Sequence, residues 1–172
     1  MSEQPRSTLH LWLGTLLFVA ILPATVIGWV PFWITRWEMG PPLLGLGATR
    51  WLGALLIAAG LPVFADFLWR FVEEGHGTPA PVAPPTELVV RGTFRWVRNP
   101  AYVAVLALVA GQALLFGSAG VLGWAAVLWL AFHLFVVLYE EPDLRRRFGA
   151  SYEAYCRAVP RWIPRPPRGR QP

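Results

Sequence analysis

Four long apolar runs, separated by short charged or Pro/Gly-rich breaks, dominate the chain. A membrane-crossing helix needs about 20 apolar residues, so the pattern predicts four spans. The first runs from Leu9 to Val30, with Pro23 as a kink. Arg36, Trp37 and Glu38 then mark an interface, and Pro41-Pro42 a turn. The second covers Trp51 to Phe71 and carries Asp66 and Arg70, one helical turn apart and able to pair. The third, Pro100 to Phe116, is near the lower limit of spanning length. Gly117-Ser118 leaves room only for a tight turn before the fourth, Ala119 to Tyr139, so spans three and four form an antiparallel hairpin. Between spans two and three, Glu73 to Asn99 holds Gly75-His76-Gly77-Thr78-Pro79-Ala80-Pro81, which no regular helix accommodates. After Pro142 the stripe Leu144, Phe148, Tyr152, Tyr155 and Val159 repeats at three- and four-residue steps, an amphipathic helix that Gly149 divides.

The expected fold is therefore an all-α integral membrane protein of about four transmembrane helices with an amphipathic C-terminal helix. Residues 1–72 hold the two N-terminal spans, 73–165 the functional core and 166–172 a flexible tail. Composition agrees: hydrophobic residues make up 55% and charged residues 15%, against about 25% charged in ordinary globular domains. Ten tryptophans and ten phenylalanines suit the membrane interface. A single cysteine, Cys156, excludes an internal disulfide and a cysteine-based metal cluster, and no metal is expected.

Charge refines the topology. The formal net charge is +5, and all fifteen cations are arginine. They flank apolar runs, which points to anionic lipid headgroups or a charged cofactor as partners, and not to nucleic acid. Arg6 is the only cation before an apolar run too long for a signal peptide's core of about 7–15 residues, so a first span is the better reading. Eight arginines lie between Arg145 and Arg170, and Arg91, Arg95 and Arg98 sit in the long loop. With four spans, the N-terminus, this loop and the tail share one side, the cytoplasmic one. The all-arginine composition, rich in Ala, Gly and Pro, suggests a bacterial plasma membrane.

Four features carry candidate chemistry, each with a plainer alternative. Asn99 and Pro100 are good residues to open a helix, yet Arg98 and Tyr102 bracket the same start, and a helix N-terminus also binds anionic groups. Glu140-Glu141 closes the fourth span, where carboxylates are costly unless paired or solvated. They either pair with Arg145 to Arg147 or clamp a cationic or hydroxyl-bearing ligand. His133, seven residues before Glu140, either bonds a neighbouring helix or removes a proton. Val159-Pro160-Arg161-Trp162-Ile163-Pro164 is either an interfacial Trp–Arg anchor or part of a site. Gln112 reads as interhelical glue, and His76 as a solvated loop residue. A Rossmann-type cofactor domain is excluded, because strands and helices do not alternate.

One stretch ties these features together: Leu88-Val89-Val90-Arg91-Gly92-Thr93-Phe94-Arg95-Trp96-Val97-Arg98-Asn99-Pro100-Ala101-Tyr102. After the hairpin come Glu140-Glu141-Pro142-Asp143-Leu144, Phe148-Gly149, Tyr152, Tyr155 and Val159-Pro160-Arg161. In this order they resemble the membrane-embedded S-adenosylmethionine-dependent methyltransferases typified by isoprenylcysteine carboxyl methyltransferase, with phospholipid N-methyltransferases as relatives. The resemblance covers roughly residues 75–165. It implies a cofactor pocket between spans three and four and the tail, with a lipophilic acceptor entering from the lipid. By position, Thr86, Glu87, Leu88 and Val89 line that pocket, Phe94 packs on the cofactor, and Asn99, Pro100, Ala101 and Tyr102 contact it. Glu140 holds the cofactor's polar end. Arg98 and Arg161 are the candidates for orienting the acceptor, and His133 for taking a proton.

Three positions depart from the family pattern. Asn99 stands where histidine is usual, and an amide takes up no proton near neutral pH. Ala104 replaces a glycine. Val136 stands where the isoprenylcysteine enzymes carry an acceptor-binding arginine, so a carboxylate acceptor lacks its counter-charge unless Arg98 or Arg161 supplies it. Two other readings stay open: an NADPH-dependent membrane reductase related to sterol reductases, and a non-enzymatic membrane scaffold whose basic tail binds anionic lipid. The acceptor's identity and the oligomeric state are not legible at this level.

Overall fold

A computed structural model describes residues 21–73 and 88–167. Most of the first span, His76, Thr86 and Glu87 lie outside the described residues. Five helices follow one another: α1 (Ile21–Thr35), α2 (Ala48–Glu73), α3 (Pro100–Phe116), α4 (Ala119–Phe135) and α5 (Glu141–Ala158). A single π-helical turn, Val136–Glu140, joins α4 to α5, so the two run on as one rod. Among the described residues every regular element is helical. The rod and Ala48–Arg70 are each long and apolar enough to cross a membrane; α1 and α3 are shorter apolar helices.

The surface is inverted relative to a water-soluble protein. Trp51 is 81% exposed, and Leu55, Leu61, Trp69, Val127 and Leu130 also point outward. The core of the hairpin is mostly small or β-branched: Val105, Val109, Ala113, Val121 and Ala125, with Leu128 the one larger side chain. Lipid is as apolar as leucine, so packing in a bilayer favours small residues that let backbones approach. Gly53 on α2 shows this directly: a Cβ there would lie 2.6 Å from the Gly111 carbonyl oxygen of α3.

Prolines explain how α1 is attached. Beyond Pro23 the helix adopts π geometry over Ala24–Trp29, and the Val30 N–H donates to the Thr25 carbonyl. Val26 thereby loses the donor an α-helix would give it, and Pro31 has no N–H to offer Val26 or Ile27. The orphaned carbonyls are met from other helices: Trp124 Nε1 donates to Val26 at 3.1 Å and Gln112 Nε2 to Ile27 at 2.8 Å. Gln112 is thus the interhelical glue its position suggested. At the C-terminal end of α3, Gly117 has φ +70° and sits against the Pro41 carbonyl, where any Cβ would collide.

The long loop is tied down where it re-enters the described region. Asp66 accepts from Arg70 Nε at 2.8 Å, as expected, and also from the Thr93 N–H at 2.9 Å. Gly149 breaks α5 with φ 50° and ψ −125°, the division expected there. The helix of the fourth span continues beyond Tyr139, however. Pro142 occupies the first turn of α5, where it needs no N–H, so the helix continues through it.

Candidate functional site at the hairpin–tail junction

The loop enters the junction as an extended segment whose side chains alternate. Val89 packs with Phe67 and Phe94, whereas Leu88 and Val90 pack on the opposite cluster of Tyr152, Tyr155 and Val159. Phe94 is buried, its ring 6.1 Å from that of Phe67, and its carbonyl accepts the Tyr155 hydroxyl at 2.8 Å. Ala101, in the first turn of α3, rests on the same Phe67 cluster. Leu88, Val89, Phe94 and Ala101 therefore form the hydrophobic floor that joins α2, α3 and α5.

Asn99 occupies the residue before α3, but its side chain does not cap the helix. This corrects the expectation drawn from its position. Its Nδ2 instead donates to the Arg161 carbonyl at 3.0 Å, while Pro100 opens the helix and is buried. Next to this contact the Arg98 N–H donates to the Pro160 carbonyl at 2.9 Å, and the Arg165 N–H to the Trp96 carbonyl at 3.0 Å. The segment 160–165 thus runs alongside 96–99 and covers the start of α3.

The two neighbouring glutamates take different work. Successive helical residues point about 100° apart. Glu140 turns toward α3, where it accepts the Tyr102 hydroxyl. Its other oxygen, Oε2, is buried and has no hydrogen-bond partner among the described residues. The Tyr102 ring is itself fixed by stacking on Phe132, with centroids 4.6 Å apart. Glu141 turns toward the tail and is 3% exposed. Its Oε1 accepts from Arg161 Nε at 2.6 Å and lies 3.2 Å from Arg98 Nη1. Its Oε2 accepts from Arg161 Nη2 at 3.0 Å and Arg145 Nη2 at 3.3 Å. The Glu141 carboxylate raises the pKa of the Arg161 guanidinium above its ordinary value, against the smaller opposing effect of burial.

Pairing with Arg145 is therefore correct for Glu141. Arg146 and Arg147 pair with Asp143 instead. Arg98 makes a second contact, from Nη1 to Cys156 Sγ at 2.8 Å. His133 accepts from Trp162 Nε1 through Nδ1 at 3.2 Å and stacks on Trp129, centroids 5.4 Å apart. With Nδ1 accepting, the neutral ring carries its proton on Nε2 and presents a donor there. The structure thus brings Arg98, Asn99, Tyr102, His133, Glu140 and Arg161 to one junction. Cys156 and Phe132 were not anticipated at the site, and Glu141 and Trp162 only as members of their motifs, without their partners Arg98, Arg161 and His133. The available signal was the doubled glutamate, whose two residues cannot face the same partner.

These features define an all-helical integral membrane protein with a buried acidic clamp between a helical hairpin and a basic tail. Residues 48–151, more than half of the chain, match the phospholipid methyltransferase family. The chain belongs to that family, which makes it a membrane methyltransferase. Comparison with curated proteins and with solved structures returns no match. The matched region runs from α2 into α5 and ends before Tyr152, Tyr155 and Arg161.

Proposed function

We propose that this protein transfers a methyl group from S-adenosylmethionine to a lipid-soluble acceptor that enters from the bilayer. The observation that carries the reading is Glu140: a buried carboxylate, one oxygen held by Tyr102 and the other without a partner among the described residues. An orphaned carboxylate oxygen in such a place calls for an ammonium group or hydroxyls, and the proposed cofactor has both. When bound, S-adenosylmethionine supplies an electrophilic methyl on a sulfonium centre. The chain has then to hold, align and keep dry. Glu140 and the start of α3, Asn99 to Tyr102, hold the polar end, while Leu88, Val89 and Phe94, with Thr86 and Glu87, complete the contacts.

Arg98 and Arg161 orient the acceptor from the tail side. Both already bond Glu141, and Val136 is buried and uncharged. A carboxylate acceptor would therefore compete with Glu141, which favours an amine or thiol. His133 can take a proton at Nδ1 only after Trp162 releases it. The placement of the arginines supports an orientation with the N-terminus, the 73–99 loop and the tail on the cytoplasmic side, and the all-arginine composition, rich in Ala, Gly and Pro, supports a bacterial plasma membrane.

Calorimetry on the detergent-purified protein tests the cofactor. Binding of S-adenosylhomocysteine that disappears in Glu140→Ala supports the reading; binding of NADPH in its place would sink it. Labelled methyl transfer to phosphatidylethanolamine vesicles, to a farnesylated cysteine and to a long-chain thiol then identifies the acceptor class. A C-terminal green fluorescent protein fusion should fluoresce in cells. Activity of a C-terminal alkaline phosphatase fusion would reverse the orientation.

A further inference from the structure

We infer that Glu141 is the positioning residue of this site: it locks Arg161 in place and, through the Arg161 backbone, fixes Asn99 at the start of α3. The inference rests on the methyltransferase reading above for its functional meaning, and on contacts alone for its structural content. Three guanidinium groups from three segments converge on one carboxylate whose side chain is 4% exposed: Arg98 from the loop, Arg145 from α5 and Arg161 from the tail. Arg161 reaches it with two bonds, Nε to Oε1 and Nη2 to Oε2. This is the bidentate geometry that makes arginine–carboxylate pairs strong and directional.

The backbone carries that constraint to the site. The Arg161 carbonyl is the acceptor for Asn99 Nδ2, and the neighbouring Pro160 carbonyl is the acceptor for the Arg98 N–H. Asn99 directly precedes α3, and three residues on is Tyr102, which holds Glu140. The contacts thus run from Glu141 through Arg161 and Asn99 to Tyr102 and Glu140, and at their origin the Glu141 carboxylate faces three guanidinium groups. Remove its charge and Arg98 and Arg161 lose the carboxylate that holds them together, while Arg145 keeps only the exposed Glu153. Glu140 cannot take over, because it points about a quarter-turn away around the same helix.

The test uses the full chain in detergent with S-adenosylhomocysteine as the probe. Glu141→Gln and Arg161→Gln are each expected to weaken its binding about tenfold, and the double variant no further, because coupled positions do not add. Trypsin is expected to cut after Arg161 faster in Glu141→Gln than in the wild type. Glu153→Gln, which removes only the exposed Arg145 partner, should bind and cleave as the wild type does. Wild-type affinity in Glu141→Gln, single effects that multiply in the double variant, or an equal loss in Glu153→Gln would each overturn the proposal. If the wild type does not bind the probe, the methyltransferase reading fails, and the cleavage rate still decides the clasp: no acceleration refutes it. Should Glu141→Gln not fold, Arg161→Gln and Asn99→Ala form the same cycle, and additive effects there refute the coupling.

Discussion

The contact of α2 with α3 and the contact of the hairpin with the tail hold the molecule together by opposite means. Between α2 and α3 the helices meet through glycine. A Cβ on Gly111 would lie 2.7 Å from Ile57 Cγ1 and 2.8 Å from the Gly53 carbonyl oxygen. Nothing charged takes part, and the backbones are close enough that side-chain volume sets the fit. At the tail the joint is a lattice of charges and carbonyls around Glu141, with aromatic rings at its edge. The first kind of joint tolerates no added atom. The second depends on charge and on hydrogen-bond partners, and residues around it can vary in size.

The comparison can be broken or sharpened by substitution, beginning with the largest effect. Gly53→Val is expected to cost about 3 kcal/mol or more, because backbone atoms cannot move aside as side chains do. Size-exclusion and melting profiles should show loss of the folded, monodisperse protein; a wild-type melt would mean that α2 and α3 are not closely packed. Glu140→Ala should leave folding intact and lower S-adenosylhomocysteine affinity about a hundredfold, near 2.7 kcal/mol. A lowered melting temperature with affinity unchanged would place Glu140 in the scaffold instead. Gln112→Leu strands the Ile27 carbonyl in an apolar setting and is expected to cost about 1 kcal/mol, with no effect on the probe's binding. The smallest effect belongs to Arg146→Ala, whose pair with Asp143 is exposed. Less than about 0.5 kcal/mol is expected, and a larger loss would show that the outer arginines belong to the clasp.

Legibility in the sequence follows the same division. Both ends of α3 were readable, since Asn99-Pro100 opens a helix and Gly117-Ser118 closes one whatever surrounds them. The Asp66–Arg70 pair and the break at Gly149 were readable for the same reason: each depends on neighbours within about one helical turn. Partner choice was not readable. Asn99 is a good capping residue by type, but it makes no cap bond, and its amide donates to the Arg161 carbonyl, 62 residues away along the chain. His133 sits on the face of Glu140 by count, and in three dimensions its partner is Trp162. Proximity in sequence placed Arg145 beside Glu141 correctly, and could not show that Arg98 and Arg161 arrive there from either side.

By itself, then, the chain's pattern of apolar runs, prolines, glycines and arginines determined that this is a helical membrane protein and where its hairpin turns. Those properties are local: they follow from burial, backbone restriction and the placement of charge along one helix. Only the tertiary structure decided that Glu140 faces α3 with one oxygen unpartnered while Glu141 faces the tail and binds three arginines. The two residues are chemically identical and adjacent. A rotation of about 100° around one helix axis, set by the packing of α3 and the tail against α4 and α5, separates the clamp from the clasp.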